Sequence, residues 1–190
     1  IIVANLKPYN INEYGTPPYR FDVLYKGQFM PVSRYPNTGW VNIYDVPQTG
    51  DSLYNKGDHK VIKNGKFAGK HYGKFSYSDN RPSNWLNKKD IWMHGYWVWD
   101  WKDDFQLIDK IDTIKKEIYP AKPFHHYGYE KGQRYYYFNI LEELDQPGEW
   151  YFDKENELLY FYPPNEIAFG DVMLSILNQP MFLIENSSNI

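Results

Sequence analysis

The absence of helical periodicity is the feature that most constrains the fold. No stretch of the chain repeats apolar residues at helical spacing for more than about two turns. Apolar residues instead recur in short runs between glycine, proline and polar turn residues, as is typical of strands. A helical bundle or a doubly wound α/β sheet would need longer amphipathic helices. The sequence therefore predicts an all-β fold: a sandwich or barrel-like domain of antiparallel strands, with one or two short helices.

Turn signals predict where several strands pair. Lys26-Gly27 separates two short strands in FDVLYKGQFMPVSRYP, and Asn64-Gly65 divides VIKNGKF. Such residues tolerate the positive φ of tight hairpin turns. The strongest pattern is EWYFDKENELLYFYPP, which predicts a strand, a polar turn at 154–157 and a second strand stopped by two prolines. Further strands are predicted at FQLIDKID, KKEIYP and RYYYFNI.

Capping residues predict two short helical segments. Ser83 would cap one turn in SNWLNKKD. Asn139 would cap a short helix in NILEELDQPG, with Gly148 just beyond its end.

The stretch IWMHGYWVWDW, residues 91–101, is predicted to be a long central strand, because neither of its alternating faces is plainly polar. Gly95 indicates a bulge or the close approach of a neighbouring backbone. Most of its tryptophans are expected in the core, with the C-terminal end of the strand at an exposed rim.

Composition argues against several kinds of partner. The net charge of −3 opposes nucleic-acid binding, and the lysine-rich segment 55–75 is better explained as an exposed edge hairpin. The chain has no cysteine, so a disulfide framework is excluded, and no apolar run reaches the roughly 20 residues of a membrane span. Its five histidines form no metal-binding motif, and we predict neither a metal nor another cofactor. The chain begins without Met, and we expect it to be part of a longer polypeptide.

The aromatic excess, 19 Tyr, 11 Phe and 7 Trp, suits both half-buried strands and sugar binding. A sugar ring stacks its C–H face on an aromatic ring, while its hydroxyls need donors and acceptors. If Trp40, Trp99 and Trp101 contact a sugar, at least two of them should be exposed around one groove; the alternative is that all three pack in the interior. The candidate carbohydrate contacts are Trp40, Trp99 and Trp101, with Arg34, His94, Asp100 and Tyr127 as polar partners.

Catalysis is a weaker interpretation. Glycoside hydrolysis needs two carboxyl groups roughly 5 to 9.5 Å apart. Asp100, Asp103 and Asp104 lie near His94 in the sequence, and adjacent glutamates at 142–143 are a second source. Adjacent acids on a turn are usually solvated, and the same consideration weakens a calcium site at WKDD.

Four blocks carry a resemblance to a known family. They are ANLKPYNINEYG (4–15), DVLYKGQFMPVSRYPNTGWVNI (22–43), DIWMHGYWVWDWKDDFQLIDKID (90–112) and YGYEKGQRYYYFNILEELDQPGEWYFDKENELLYFYPP (127–164). With them the chain resembles the β-rich insertion domain of right-handed parallel β-helix proteins of the glycoside hydrolase family 141 type. This resemblance implies an exported bacterial protein that degrades polysaccharides.

The resemblance also implies a division of roles. Residues 1–178 would form the insertion domain, and residues 179–190 would begin a returning coil of a truncated β-helix. The domain would be a non-catalytic accessory that packs on the β-helix of its own parent chain, caps it and lines one side of the substrate cleft. The catalytic carboxylates would lie on coils outside this chain, so no catalytic residue is carried over.

Several expectations follow for partners and for the chain ends. The partner is a polysaccharide or oligosaccharide bound through the parent enzyme, with no nucleic acid and no membrane. An insertion must leave and rejoin one β-helix, so the two ends of the domain should lie close together. The alternatives are a free-standing carbohydrate-binding module or, less favoured, a glycosidase that uses the aspartates at 100, 103 and 104.

Overall fold

The chain folds into antiparallel β-sheets. In the computed structural model, no α-helix is present among the residues that can be described, and the sheets there form no closed barrel. The predicted all-β class is confirmed, with a sandwich rather than a barrel. The described residues are 1–11, 21–46, 62–63, 66–67, 73–86, 89–125, 127–176 and 182–188.

Most strands are short. They have two to five residues, whereas β10 has nine. In chain order the strands are β1 (Ile2–Asn5), β2 (Asp22–Tyr25), β3 (Gln28–Phe29), β4 (Arg34–Tyr35), β5 (Val41–Asn42), β6 (Ile62–Lys63), β7 (Lys66–Phe67), β8 (Phe75–Ser76), β9 (Trp92–Gly95), β10 (Asp104–Asp112), β11 (Glu117–Pro120), β12 (Arg134–Phe138), β13 (Trp150–Asp153), β14 (Leu158–Phe161) and β15 (Val172–Ser175).

Seven strands form the large sheet, in the order β4-β12-β9-β10-β11-β8, with β5 also paired to β12. One face of this sheet covers an aromatic core. Tyr135 and Tyr137 point into that core from β12, where they pack near Trp85 and Trp97. Side chains alternate along a strand, so Arg134 and Tyr136 lie on the opposite face.

Two three-stranded sheets, β1-β14-β13 and β15-β2-β3, enclose a second core and form a small sandwich. Phe21 stacks on Trp150 there with ring centroids 5.3 Å apart. The small sandwich is tied to the large sheet beside β4, where the Ser33 N–H donates to the Trp150 carbonyl at 2.7 Å. The two cores therefore meet along the segment between β3 and β4.

The hairpin predictions agree with the described strands. Lys26 and Gly27 both have positive φ, 49° and 78°, in the turn between β2 and β3. β6 pairs with β7, although the predicted Asn64-Gly65 turn lies outside the described residues. β13 pairs with β14 around the polar turn 154–157.

The two predicted helices are instead 3-10 turns, at Arg81–Asn84 and Leu141–Glu143; a third such turn is Lys7–Tyr9. Ser83 lies inside its turn and does not cap it. Asn139 is not a cap, because its φ of 60° differs from the extended backbone of an N-cap. Its side chain instead accepts the Phe152 N–H at 3.1 Å, which joins the end of β12 to β13.

The stretch 91–101 is central but it is not a long strand. Only Trp92–Gly95 is extended, between β10 and β12. A Cβ at Gly95 would lie 2.6 Å from the Tyr135 Cβ, so the predicted close backbone approach is confirmed. Beyond Gly95 the backbone is no longer part of the sheet, although both Trp97 and Val98 are fully buried.

The predicted β-helix coil at the C-terminus stays a prediction. Residues 182–188 form no strand, and Phe182, Leu183 and Ile184 are exposed. The ends of the described sandwich lie near each other, because Ile2 of β1 and Val172 of β15 line the same groove.

Candidate functional site

The outer face of the large sheet is the candidate ligand-binding surface. Phe105 of β10 is opposite His94 of β9, and His94 is opposite Tyr136 of β12. The Phe105 and His94 rings stack with centroids 4.6 Å apart, and Tyr136 meets His94 edge-on at 5.3 Å. We call these three residues, together with Tyr96 and Trp40, the aromatic platform.

Trp40 is the exposed member that covers the platform. Its ring centroid lies 5.2 Å from Tyr136, 5.7 Å from Tyr96 and 5.9 Å from His94. The side chain nevertheless remains 39% exposed. An indole that is supported on one side and open on the other presents a flat apolar surface to solvent.

Arg34 fixes the loop that carries Trp40. Its Nε donates to the Pro36 carbonyl at 2.9 Å, and Nη2 donates to the Gly39 carbonyl at 2.6 Å. The same guanidinium lies 3.6 Å from the centre of the Tyr136 ring, a cation–π contact. Arg34 therefore positions the loop and the platform relative to each other.

Arg134 borders the opposite side of the platform. Its guanidinium lies 4.0 Å from the Tyr96 ring centre and 5.8 Å from that of Trp40. Its Nη1 also donates to Asp100 at 2.6 Å. Both partners of this ion pair are substantially exposed, so it contributes little to stability and mainly orients the guanidinium.

A hydrogen-bonded chain runs from Asp103 through His94 to Tyr136. His94 Nε2 lies 2.8 Å from Asp103 Oδ2, and Nδ1 lies 3.1 Å from the Tyr136 hydroxyl. The hydrogen bond from His94 lowers the pKa of Asp103, whose carboxylate can only accept. The Nε2–H of His94 therefore donates to Asp103, and the Tyr136 hydroxyl is held against Nδ1.

The predicted contact residues fall into two neighbouring groups rather than around one groove. Arg34, Trp40 and His94 meet at the platform, and Asp100 reaches it through Arg134. Ring contacts of 6.2–6.5 Å join the second group, which comprises Trp99, Trp101 and Tyr127.

The exposure of the three tryptophans settles part of the open question. Trp101 is 70% exposed and Trp40 is 39% exposed, while Trp99 is half-buried. Interior packing of all three is therefore not what the structure shows.

Sequence reasoning missed four members of this surface: Tyr96, Phe105, Arg134 and Tyr136. For Arg134 and Tyr136 the signal was present in RYYYF, where every second residue shares a face. Which face would be open could not be decided until the other strands were placed.

The carboxylates considered for catalysis are held in different ways. Asp100 pairs with Arg134, while Asp104 lies 3.7 Å from Lys102 Nζ. Asp103 has a lowered pKa, which is the opposite of what a catalytic acid needs.

The two glutamates considered for catalysis have structural contacts. Glu143 is buried and accepts hydrogen bonds from Arg81 and Trp85. Glu142 accepts the Leu86 N–H at 2.7 Å. Among the described residues, no group of three or more acidic or histidine side chains is arranged to hold a metal ion.

A cleft of about 260 Å³ adjoins the platform where the large sheet meets the small sandwich. Arg34 and Tyr136 belong to both the cleft and the platform. The other lining residues are Asp22, Met30, Pro31, Val32, Phe138 and Trp150.

A second, larger groove opens in the small sandwich and is mostly apolar. Its volume is about 470 Å³, and it lies between β1 and β15. Exposed apolar side chains line this groove, among them Tyr9 at 63%, Ile167 at 41% and Ile176 at 39%. We call this region the apolar face.

Comparison with known proteins finds a likeness of fold. No family model and no curated protein matches the sequence. A solved structure described as "Glycoside hydrolase" is similar, with a TM-score of 0.51 and 15% sequence identity. The match covers 80% of this chain but 26% of that one. At this identity the likeness is one of fold.

The described residues include no helix long and apolar enough to cross a membrane.

Proposed function

We propose that this chain is a non-catalytic accessory domain of an exported, polysaccharide-degrading β-helix protein of the glycoside hydrolase family 141 type. Its aromatic platform contacts the glycan, and its apolar face packs on the β-helix. The observation that carries the glycan contact is the exposed Trp40 ring, which lies among fixed polar groups on the sheet.

The chemistry of the platform matches that of a sugar. The open face of Trp40 offers a stacking plane for the C–H groups of a sugar ring. Asp100 supplies a carboxylate acceptor, Arg134 a guanidinium donor and Tyr136 a hydroxyl group around that plane. A saccharide needs both a stacking plane and such polar groups.

The apolar face supports the accessory role. Large exposed apolar patches on a domain are typical of surfaces that another protein covers. Here the exposed side chains lie around β1 and β15, the first and last described strands. The similar glycoside hydrolase is a much longer chain, of which this fold covers 26%. A β-helix body beside β1 and β15 would cover these side chains.

Tryptophan fluorescence and calorimetric titration with oligosaccharides from pectin and xylan test the glycan contact. We expect saturable binding in the millimolar range, about −4 kcal/mol, because one domain supplies only one side of a cleft. Trp40→Ala should remove the binding, whereas Trp101→Ala, an equally large truncation outside the platform, should retain most of it. No saturable change with any oligosaccharide would contradict the proposal.

The same mixtures test the absence of catalysis. We expect no release of reducing sugar from a panel of plant polysaccharides, because the expected catalytic carboxylates lie outside this chain. Hydrolysis that Asp100→Asn or Asp103→Asn abolishes would instead favour the glycosidase alternative. Tight binding by a chain that associates with no β-helix would favour a free-standing carbohydrate-binding module.

A further inference from the structure

We infer that the cleft beside the platform is a subsite for one uncharged sugar residue. The glycan would then run from this cleft, across Tyr136, to the stacking surface of Trp40. This inference rests on the proposed function and deepens it, because it assigns a second contact point and a class of sugar.

Continuity between the two surfaces is the first step. Tyr136 lines the cleft and also lies 5.2 Å from Trp40, centroid to centroid. Arg34 lines the cleft as well, and its guanidinium covers the Tyr136 ring. A chain of linked sugar rings that occupies one surface therefore passes directly onto the other.

The size and walls of the cleft give the second step. Its volume of about 260 Å³ is below the range of roughly 300–1,000 Å³ typical of drug-sized ligand pockets, so it accommodates a single ring. Phe138 and Trp150 are almost completely buried and form a rigid apolar wall. Trp150 is held in place because its Nε1–H donates to the Met30 carbonyl at 2.8 Å.

The hydrogen-bonding groups that line the cleft also suit a sugar. The carboxylate of Asp22 can only accept, whereas the Tyr136 hydroxyl has both a proton and lone pairs. Arg34 adds a guanidinium, which can only donate. Together these groups fit a ring that carries several hydroxyl groups.

Charge selects the class of sugar. Asp22 and Arg34 bring opposite charges to the cleft, so a ligand without net charge leaves them balanced. A uronate placed here would give the cleft a net negative charge, because the Arg34 charge already offsets that of Asp22, and this excess charge is unfavourable. The subsite is therefore suited to a neutral pentose or hexose.

The test compares Asp22→Asn with Trp40→Ala across neutral xylo-oligosaccharides of increasing length. Wild-type affinity should rise from the monosaccharide to the trisaccharide as both surfaces are filled. Asp22→Asn should weaken trisaccharide binding about tenfold, as loss of a hydrogen bond to a charged group does. The matched control is Asp109→Asn on β10, an exposed aspartate away from the cleft, which should bind as the wild type does.

The outcomes separate the two proposals. If Trp40→Ala loses binding while Asp22→Asn retains it, the cleft is not a subsite, although the platform still binds glycan. If the wild type binds no oligosaccharide at all, both proposals are wrong. Tighter binding of oligogalacturonate than of xylo-oligosaccharides would overturn the class of sugar. Thermal unfolding of Asp22→Asn near the wild-type midpoint would show that any loss of affinity is not a folding defect.

Discussion

At the residue scale, tryptophans from one stretch of sequence have different roles. Trp97 is fully buried, and its Nε1–H donates to the Asp104 carbonyl at 3.1 Å. Trp92 is half-buried, and its Nε1–H donates to the Asp90 carboxylate at 3.1 Å. Trp101 is 70% exposed. Composition cannot distinguish these environments, because a buried indole and a sugar-stacking indole are the same side chain.

Trp97→Ala should destabilise the domain by about 3–5 kcal/mol, because the truncation leaves a large cavity among the rings of Phe75, Tyr129 and Tyr135. Chemical denaturation followed by circular dichroism measures the difference. Trp101→Ala is the control, with an expected change within about 0.5 kcal/mol, as at other exposed sites. Equal unfolding midpoints for wild type and Trp97→Ala would mean that this ring is not part of the core.

Glu117 gives a prediction about pH. Burial alone would raise the pKa of Glu117, but hydrogen bonds from Lys74 at 2.8 Å and Tyr119 at 2.6 Å outweigh it, and the pKa is lowered. A lowered pKa in the folded state stabilises the protein above the unfolded value, near 4.3, and this stabilisation is lost as pH falls through the folded value. Glu117→Gln should therefore be less stable than the wild type at pH 7, with a smaller difference at pH 3.

Thermal unfolding at a series of pH values measures this effect. Asp109→Asn, an exposed change on the neighbouring strand β10, serves as the control. A difference between wild type and Glu117→Gln that is the same at pH 7 and pH 3 would exclude the ion pair as its source.

At the element scale, hairpins were predictable and helices were not. The turn at Lys26-Gly27 and the polar turn at 154–157 carry local signals, because the backbone itself requires particular residues there. The segment 139–148 carried a cap-like asparagine and a terminal glycine, yet tertiary contacts decide its structure. Asn139 accepts a hydrogen bond from the Phe152 N–H of β13, and Glu143 forms an ion pair with Arg81.

The candidate site was predictable in the same partial way. Trp40 and His94 could be selected from the sequence as an indole after a turn and a polar group on a strand. Their contact with Tyr136 could not be predicted, because it depends on the register between β9 and β12. Those two strands are separated by about 40 residues of sequence. Long-range register is set by the whole core rather than by any local pattern.

Gly95 should be essential for the pairing of β9 with β12. A Cβ at this position would lie 2.6 Å from the Tyr135 Cβ and 2.9 Å from the Arg134 carbonyl oxygen. Gly95→Ala must therefore separate two central strands, at a cost of about 1–3 kcal/mol, as for overpacked cores. The neighbouring His94–Tyr136 contact should loosen as well, so oligosaccharide affinity should fall together with the unfolding midpoint.

The control for Gly95→Ala is a glycine with open space around it. Gly27 has no heavy atom within 4 Å of an added Cβ, and asparagine tolerates its φ of 78°. Gly27→Asn should leave both stability and affinity close to the wild type. Unchanged stability in Gly95→Ala would mean that the two strands are not packed as closely as the structure has them.

At the scale of the whole molecule, the two cores expose different surfaces. The large sheet presents an aromatic face with fixed polar groups, which suits a hydrated ligand such as a sugar. The small sandwich presents an apolar groove and bare aliphatic side chains, which suit a protein neighbour. A domain with these two faces is suited to link a glycan to a larger scaffold.

The apolar face should make the isolated chain self-associate, because none of the described residues covers its exposed apolar side chains. Replacing Tyr9, Ile167 and Ile176 by lysine should shift the chain towards monomer in sedimentation velocity and reduce its binding of a hydrophobic dye. The three side chains are exposed, so the unfolding midpoint should stay close to that of the wild type. Oligosaccharide affinity should also be unchanged, because the aromatic platform lies on the other sheet system. A wild-type chain that is monomeric at high concentration and binds no dye would show that the apolar face is not an open docking surface, and the accessory role would lose its structural support.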